Sequence, residues 1–446
     1  MKRRRRIGSL GLLALLLGAG AAPLWAAKAP PRPMPVKLTA KLSNRFNWDL
    51  KRDNAYEDIS VTYTELNAEA KWLPNPRVQM VAGEWMVNGD LRPYNIFANF
   101  STDHANVRVG NQIVRWGKAD EISTLDSINP EDLTQGLTRD RASRKIPVPM
   151  INAELLSTYV SLQGIYAPYW EKSKFLISGD DWAFFDHLER KYGNINVIEQ
   201  DQPKTLRDGT YGARLSGTLL RVDYAFSYLN HRRDIPSLKA FPLPMPAQLV
   251  TNEPGSIEDL VRFSRGFPIP VFPFFFPAQP IRFEYLREEV YGFEFETVAG
   301  PFGIRGDAAY ISSQSFTTDN LQTVRKPVVS YVIGADYNGP ANTYFNVSYK
   351  RTEIRDYENR ISPPPTSSEI SAEMTLEILN GNMRPAYRGY FNTTDKSYYQ
   401  NPRVSIHYIP NVTVEVGIDL YGGPASSQAG FFTANDQAYT LVRFFF

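Results

Sequence analysis

The strongest constraint on this chain is a two-residue alternation between apolar and charged side chains that recurs in segment after segment. Clear examples are Val36-Leu38-Ala40-Leu42, Val222-Tyr224-Phe226-Tyr228, Tyr291-Phe293-Phe295, Val329-Tyr331-Ile333-Ala335, Ile370-Ala372-Met374-Leu376-Ile378, Val404-Ile406-Tyr408 and Val412-Val414-Val416-Ile418-Leu420. Successive side chains on a strand point to opposite faces, so each segment is a strand with one greasy and one charged face. A soluble sandwich covers its greasy face with a second sheet. A membrane barrel turns that face to lipid and encloses water with the other.

The two ends of the sequence favour the barrel. Ala438, Thr440, Val442, Phe444 and Phe446 share one face of a terminal strand. An alternating last strand closed by an aromatic resembles the signal that outer-membrane assembly machinery reads, with Phe444 and Phe446 carrying it. At the other end, Lys2 and Arg3 to Arg6 precede the apolar run Ile7 to Ala22, which falls short of the ~20 residues of a spanning helix. Residues 1–26 therefore read as a secretory signal, cleaved after 26 or 29, with the barrel expected over 30–446. Removing the signal takes five basic residues and no acid, so the formal charge of +2 becomes 2 − 5 = −3. A charge this near zero argues against a nucleic-acid partner. With 0 cysteines, disulfides, thiolate metal sites and thiol catalysis are excluded, and no metal or cofactor is expected. Although 43% of the chain is hydrophobic, no later apolar run is long enough for a transmembrane helix.

Connection lengths sharpen the picture, because membrane barrels alternate short periplasmic turns with longer external loops. Short turns are expected near Pro74-Asn75-Pro76, Thr102-Asp103-His104, Pro168-Tyr169-Trp170, Gly217-Thr218, Gly300-Pro301, Asn338-Gly339-Pro340, Asn380-Gly381-Asn382 and Pro410-Asn411. Longer links are expected at 117–154, 179–208, 231–280, 313–326, 355–366 and 422–435. The sequence thus predicts an all-β, antiparallel, up-and-down transmembrane barrel of about 18 strands, within a range of roughly 14 to 18, whose lumen is partly filled by inward-folded loops.

One stretch carries more than periodicity. Arg108-Val109-Gly110-Asn111-Gln112 runs on through Ile113-Val114-Arg115-Trp116-Gly117 to Asn129-Pro130-Glu131-Asp132-Leu133, followed by Arg139, Arg141, Arg144 and Lys145. It resembles a family of proteobacterial outer-membrane barrels with an R-[VL]-G-x-Q-x-x-x-W-G strand before an N-P-x-D-L segment, themselves similar to the alginate-export porins. This chain departs from the pattern at Asn111, where the family more often has a basic residue, and at Lys118, where it more often has an acid. The resemblance implies a transport setting, with a periplasmic transport partner among its expectations. Gly110 permits close backbone approach and Gly117 permits an unusual chain direction, so segment 117–154 is expected to turn into the lumen. There Arg108, Gln112, Trp116, Lys118, Asp120, Glu121, Arg139, Arg141 and Arg144 either form a charged constriction or anchor the loop to acidic wall residues. Anchoring is the stronger of the two readings, since loop salt bridges are common.

Residues 231–280 are too rich in proline for a strand or helix, and Phe267 to Pro277 is too apolar to stand in water. They read as an extracellular loop or lid, or as a slide for a lipid-like solute. Asp180, Asp181 and Asp186 lack calcium-loop spacing and read as solvated charges. Neither a G-x-S-x-G elbow nor an H-E-x-x-H pair is present, and His104, His187, His231 and His407 are isolated, with His231 expected in a loop. No catalytic residue is therefore assigned.

The lumen wall is expected to mix Lys37, Lys41, Arg45, Arg214, Arg221, Arg305, Arg403 and Arg443 with Asp223, Glu294, Glu296, Asp307, Glu373, Glu377 and Glu415. No single-sign ladder for a phosphate-like solute emerges. The functional expectation is a porin-like channel in the outer membrane of a Gram-negative bacterium, in contact with lipid and lipopolysaccharide and passing a hydrophobic or amphiphilic solute. The alternative is a plugged barrel that serves as a docking sleeve for a periplasmic or surface partner.

Overall fold

The computed structural model describes residues 36–51, 62–119, 121–183, 197–199, 205–240, 255–256, 281–319, 323–424, 427 and 429–446. The proposed signal peptide, Asp120 and the Phe267–Pro277 stretch lie outside them. The first strands are β1 (Val36–Asp49), β2 (Thr62–Asn75), β3 (Val78–Val87), β4 (Asp90–Ser101), β5 (Ala105–Gln112), β6 (Val148–Leu156) and β7 (Val160–Ala167). Next come β8 (Val197–Glu199), β9 (Thr210–Leu219), β10 (Val222–Arg232), β11 (Ser237–Ala240), β12 (Gly255–Ser256) and β13 (Ile281–Glu284). The remainder are β14 (Arg287–Ala299), β15 (Phe302–Thr317), β16 (Thr323–Asn338), β17 (Tyr344–Ile354), β18 (Thr366–Thr375), β19 (Met383–Asn392), β20 (Tyr398–Ile406), β21 (Val412–Gly422) and β22 (Gln437–Phe445).

Eighteen of these strands form one sheet. Each pairs antiparallel with its neighbours, and β1 pairs with both β2 and β22, so the sheet closes into a barrel with no free edge. Strands β8, β11, β12 and β13 make a separate small sheet. No described helix is long and apolar enough to cross a membrane.

The alternation is realised in three dimensions. On β21, Val416 and Ile418 are exposed while Glu415, Gly417 and Asp419 between them are buried. A continuous apolar exterior of this kind on a closed barrel is stable in hydrocarbon and not in water, so the chain is an outer-membrane barrel. A girdle of tyrosines marks its loop-side boundary on β9 to β15. Ring centroids lie 6.4 Å apart for Tyr211–Tyr228, 5.2 Å for Tyr228–Tyr291 and 6.2 Å for Tyr291–Tyr310.

Three connections differ from the sequence reading. The short turn after β6 is Ser157–Tyr159, not Pro168-Tyr169-Trp170, which begins the long β7–β9 connection. There Trp170 packs on Tyr285 with centroids 4.6 Å apart and rings tilted by 54°, and donates to the Arg232 carbonyl at 2.9 Å, so the proline marks a docked loop rather than a hairpin. On the loop side, β3 and β4 join through the tight pair Asn88 and Gly89, both at positive φ, as a two-residue hairpin demands. His231 belongs to β10 and is buried, where a loop position was expected. The lumen also holds more apolar substance than the charge pattern implied. Val114, Trp116, Leu125 and Ile128 of the inward segment pack on Met150, Ile165, Leu229, Val290 and Ala309 of the wall.

Candidate pore constriction

The chain leaves β5 at Gln112 and does not regain the wall until β6. Departure begins at Gly110 (φ 129°), where a Cβ would collide with the Ile96 carbonyl oxygen and lie 2.8 Å from the Phe97 Cα. Asn129 then closes the base of the excursion. Its side-chain Oδ1 accepts from the Val114 N–H at 2.8 Å, and its side-chain Nδ2 donates to Gln112 O at 3.1 Å and Ile146 O at 2.9 Å. Gln112, fully buried, donates to the Met150 carbonyl at 3.0 Å.

From this base the segment reaches β14 and β15, five and six strands further round the ring from β5. The Gly117 N–H donates to Glu294 Oε2 at 2.5 Å, and the Lys118 N–H donates to Asp307 Oδ1 at 2.6 Å. Asp307 also accepts from the Ala119 N–H at 3.2 Å and the Ser123 hydroxyl at 2.6 Å. Gly117 (φ 94°) is required here, because a Cβ would strike Ser123 Oγ and come within 2.8 Å of Asp307 Oδ2. Lys118 Nζ pairs with Glu296 at 2.8 Å, Arg214 pairs with Glu294, and Arg305 pairs with Asp336. Trp116 Nε1 donates to Gln163 on β7 at 2.9 Å.

A second set of tethers runs to other walls. Tyr390 on β19 donates to Glu121 Oε2 at 2.5 Å, and Arg388 Nη2 donates to the Leu137 carbonyl at 3.2 Å. Arg139 pairs with Glu65 on β2 at 3.6 Å and lies 4.9 Å from the Trp85 ring, while Arg92 on β4 pairs with Asp132 at 2.9 Å. Arg141 and Arg144 stay within the segment, pairing with Glu131 at 3.0 and 3.2 Å. Arg141 opens the short helix α1 (Arg141–Arg144), capped by the Asp140 carboxylate. Lys145, itself buried, pairs with Asp126 and Glu131, both at 3.2 Å. Burial alone would raise the Glu131 carboxyl, but Lys145, Arg141 and Arg144 outweigh it and hold it at about 2.

The remaining sequence-assigned wall residues are scattered around the ring. Glu373 pairs with Arg403 at 3.7 Å, and Glu377 with Arg384 at 2.8 Å. Asp223 accepts from Thr218 at 2.5 Å, whereas Arg221 sits exposed in the β9–β10 turn at φ 69°, away from the lumen wall. Arg108 points at the Phe97 ring, 4.5 Å from its centroid, and does not join the network. Between the segment and the short-turn end of the wall lies a cavity of about 350 Å³, lined in part by Lys118, Ser161, Arg214, Ser216, Thr218 and Asp223.

Two further loops enter the lumen from the loop side. Phe431 and Phe432, from the turn Gly430–Asn435, meet edge to face with centroids 4.9 Å apart. Trp182, from the β7–β9 connection, lies 5.5 Å from Phe432 and 5.7 Å from Tyr421. Its ring also covers Gly136 of the inward segment, where a Cβ would lie 2.6 Å from Trp182 Cζ3. Sequence reasoning missed Trp182, Glu65, Tyr390 and Arg388; no local motif surrounds any of them.

With that geometry in place, the family is decided by sequence. The model for "Protein of unknown function (DUF1302)" matches residues 53–400 of the 446. This chain belongs to the DUF1302 family. No curated protein matches it by sequence. In structure the DUF1302 chain is similar to OpdQ of Pseudomonas aeruginosa, with 9% identity, a TM-score of 0.47, and 92% of this chain and 98% of that one covered. It is also similar to the outer-membrane channel DcaP of Acinetobacter baumannii, with 9% identity, a TM-score of 0.41, and coverage of 92% and 97%. A loop-deletion mutant of OmpT, an outer-membrane protein of Vibrio cholerae, gives 10% identity, a TM-score of 0.41, and coverage of 92% and 99%. At such identities these are likenesses of fold alone.

Proposed function

We propose that this DUF1302 barrel is a narrow, passive outer-membrane channel whose aqueous path is set by the inward segment between β5 and β6. The observation that carries the reading is the docking of that segment on Glu294 of β14 and Asp307 of β15, beside a hydrophilic cavity. Lys118, Glu121 and Arg139 are the residues assigned to the constriction, and Arg141 and Arg144 hold its shape through Glu131. Charges of both signs disfavour selection by net charge. A solute with an apolar body and one polar end suits this lumen, where aromatic and charged surfaces lie side by side. The Arg108–Gly117 motif resembles a barrel family that is itself distantly similar to the alginate-export porins, which adds a polysaccharide to the solutes worth testing.

Single-channel recording of the refolded barrel in planar bilayers is the direct test. Small, discrete conductance steps are expected, rising severalfold when residues 118–150 are deleted. A sealed membrane for both proteins would end the channel reading. One observation favours the plugged-sleeve alternative: Trp182 joins three separate inward loops through buried aromatic contacts. A sealed recording together with a co-purifying periplasmic or surface partner is what that alternative requires.

A further inference from the structure

The outside of the barrel is not uniform around its loop-side rim. On β3 and β4 that rim presents Glu84 and Leu91, both exposed. On β14 to β17 it presents Arg287, Arg325, Arg351 and Arg355 instead. Arg287 stands four residues before Tyr291 on the same face, about 13 Å along the strand at roughly 3.3 Å per residue, just beyond the tyrosine girdle. Its guanidinium also lies 5.7 Å from the Tyr211 ring.

These arginines are held in place with only part of their charge neutralised. Arg287 donates to Asn230 Oδ1 at 2.5 Å, Asp208 O at 3.0 Å and Gly209 O at 2.5 Å. Arg325 donates to Arg287 O at 2.8 Å and to Ser313 O at 3.4 Å, so every hydrogen-bond acceptor recorded for the pair is an uncharged oxygen. Arg351 and Arg355 share one carboxylate, Glu353, at 2.7 and 3.6 Å. Glu289, a second acid among the described residues of this outward patch, accepts from the Tyr228 hydroxyl at 3.0 Å and the Asn230 amide at 3.3 Å. Positive charge left over at the level of lipid headgroups needs a counter-charge from the membrane.

We infer that the rim formed by Arg287, Arg325, Arg351 and Arg355 is a docking surface for the phosphate groups of outer-leaflet lipid A. Guanidinium groups match phosphate oxygens bidentately, and the tyrosine girdle below offers its rings to the acyl chains. The inference rests on the barrel standing in a membrane and not on its conducting solute.

The test is lipid retention by barrels extracted from outer membranes and measured by native mass spectrometry. Wild type is expected to retain diphosphoryl lipid A, and Arg287→Gln with Arg325→Gln is expected to retain it roughly tenfold less, as the loss of one charge-assisted contact implies. In reconstituted vesicles the same difference should appear with diphosphoryl lipid A and vanish with phosphatidylethanolamine. Equal retention by a variant that keeps the heat-modifiable mobility of a folded barrel overturns the inference. So does equal binding of phosphatidylethanolamine, or displacement of the lipid by inorganic phosphate alone, which would assign the site to free phosphate. If the double variant fails to fold, Arg351→Gln with Arg355→Gln, at the far end of the patch, reads the same loss. Conductance recorded alongside is expected to be unchanged, which separates a failed lipid site from a failed channel.

Discussion

The two kinds of inward loop in this lumen are fastened by different chemistry. The β5–β6 segment meets β14 and β15 through backbone N–H groups that donate to the carboxylates of Glu294 and Asp307. The 430–435 turn is held chiefly by aromatic rings, with Trp182, Phe432 and Tyr421 within 5.5 to 6.3 Å of one another, and by single bonds from Lys51 to the Thr433 carbonyl at 2.6 Å and from Asn435 to the Asp181 carbonyl at 2.9 Å. Charge-assisted bonds are directional and answer to pH and salt, while ring packing answers mainly to shape. One fastening is therefore adjustable and the other fixed.

The largest expected effect falls on the fixed side. Trp182→Ala removes the ring shared by three loops and should cost about 3–5 kcal/mol, seen as loss of hydrogen-exchange protection in both 130–140 and 430–435. Protection lost in only one of the two would show that the loops are independently held. Asp307→Ala comes next, leaving the Lys118 and Ala119 N–H groups and the Ser123 hydroxyl without their acceptor. We expect a local loss of about 3 kcal/mol and a larger conductance, with 430–435 undisturbed.

Acid provides a comparable perturbation without mutation. Glu131 is held at about 2 against an ordinary 4.5, so its stabilisation is complete above pH 4.5 and fades as the pH falls towards 2. The shift corresponds to roughly 3 kcal/mol, and the helix Arg141–Arg144 should loosen below about pH 4 while the aromatic turn keeps its protection. Proteolytic cleavage after Arg141 or Arg144, compared at pH 3 and pH 6 with an acid-stable and a neutral protease, reads the difference. The smallest effect is expected for Arg139→Gln, which gives up one ion pair at 3.6 Å, a hydrogen bond to the Ser143 carbonyl at 2.5 Å and a ring contact, for about 1–2 kcal/mol in the same exchange assay.

Legibility in the sequence follows the range of the interaction concerned. Strand alternation is a local, two-residue property, which is why the outward rows on β10, β14, β16 and β21 could be written down from the letters and why the strand number agrees with eighteen. The inward excursion was legible too, through Gly110 and Gly117. Its fastening was not, because Gly117 and Glu294 lie 177 residues apart and Lys118 and Asp307 189, separations at which no spacing rule operates. Arg141 and Arg144 were expected to reach wall acids and instead pair with Glu131 inside their own segment. Pro168 misled for a related reason: proline announces the end of a strand but not whether a hairpin or a docked loop follows.

The seam between β1 and β22 has a consequence for how the molecule comes into being. Those strands exchange backbone bonds from Lys41–Phe445 to Asp49–Gln437, although they come from opposite ends of the described chain. Until that ladder zips, the curled sheet carries two raw edges, each a row of unsatisfied amide groups ready to pair with a stranger. Closure is also the contact with the greatest loop entropy, so it falls last and slowest. The cell must shield those edges throughout that interval, which makes the half-built cylinder, and not the finished one, the state most exposed to aggregation.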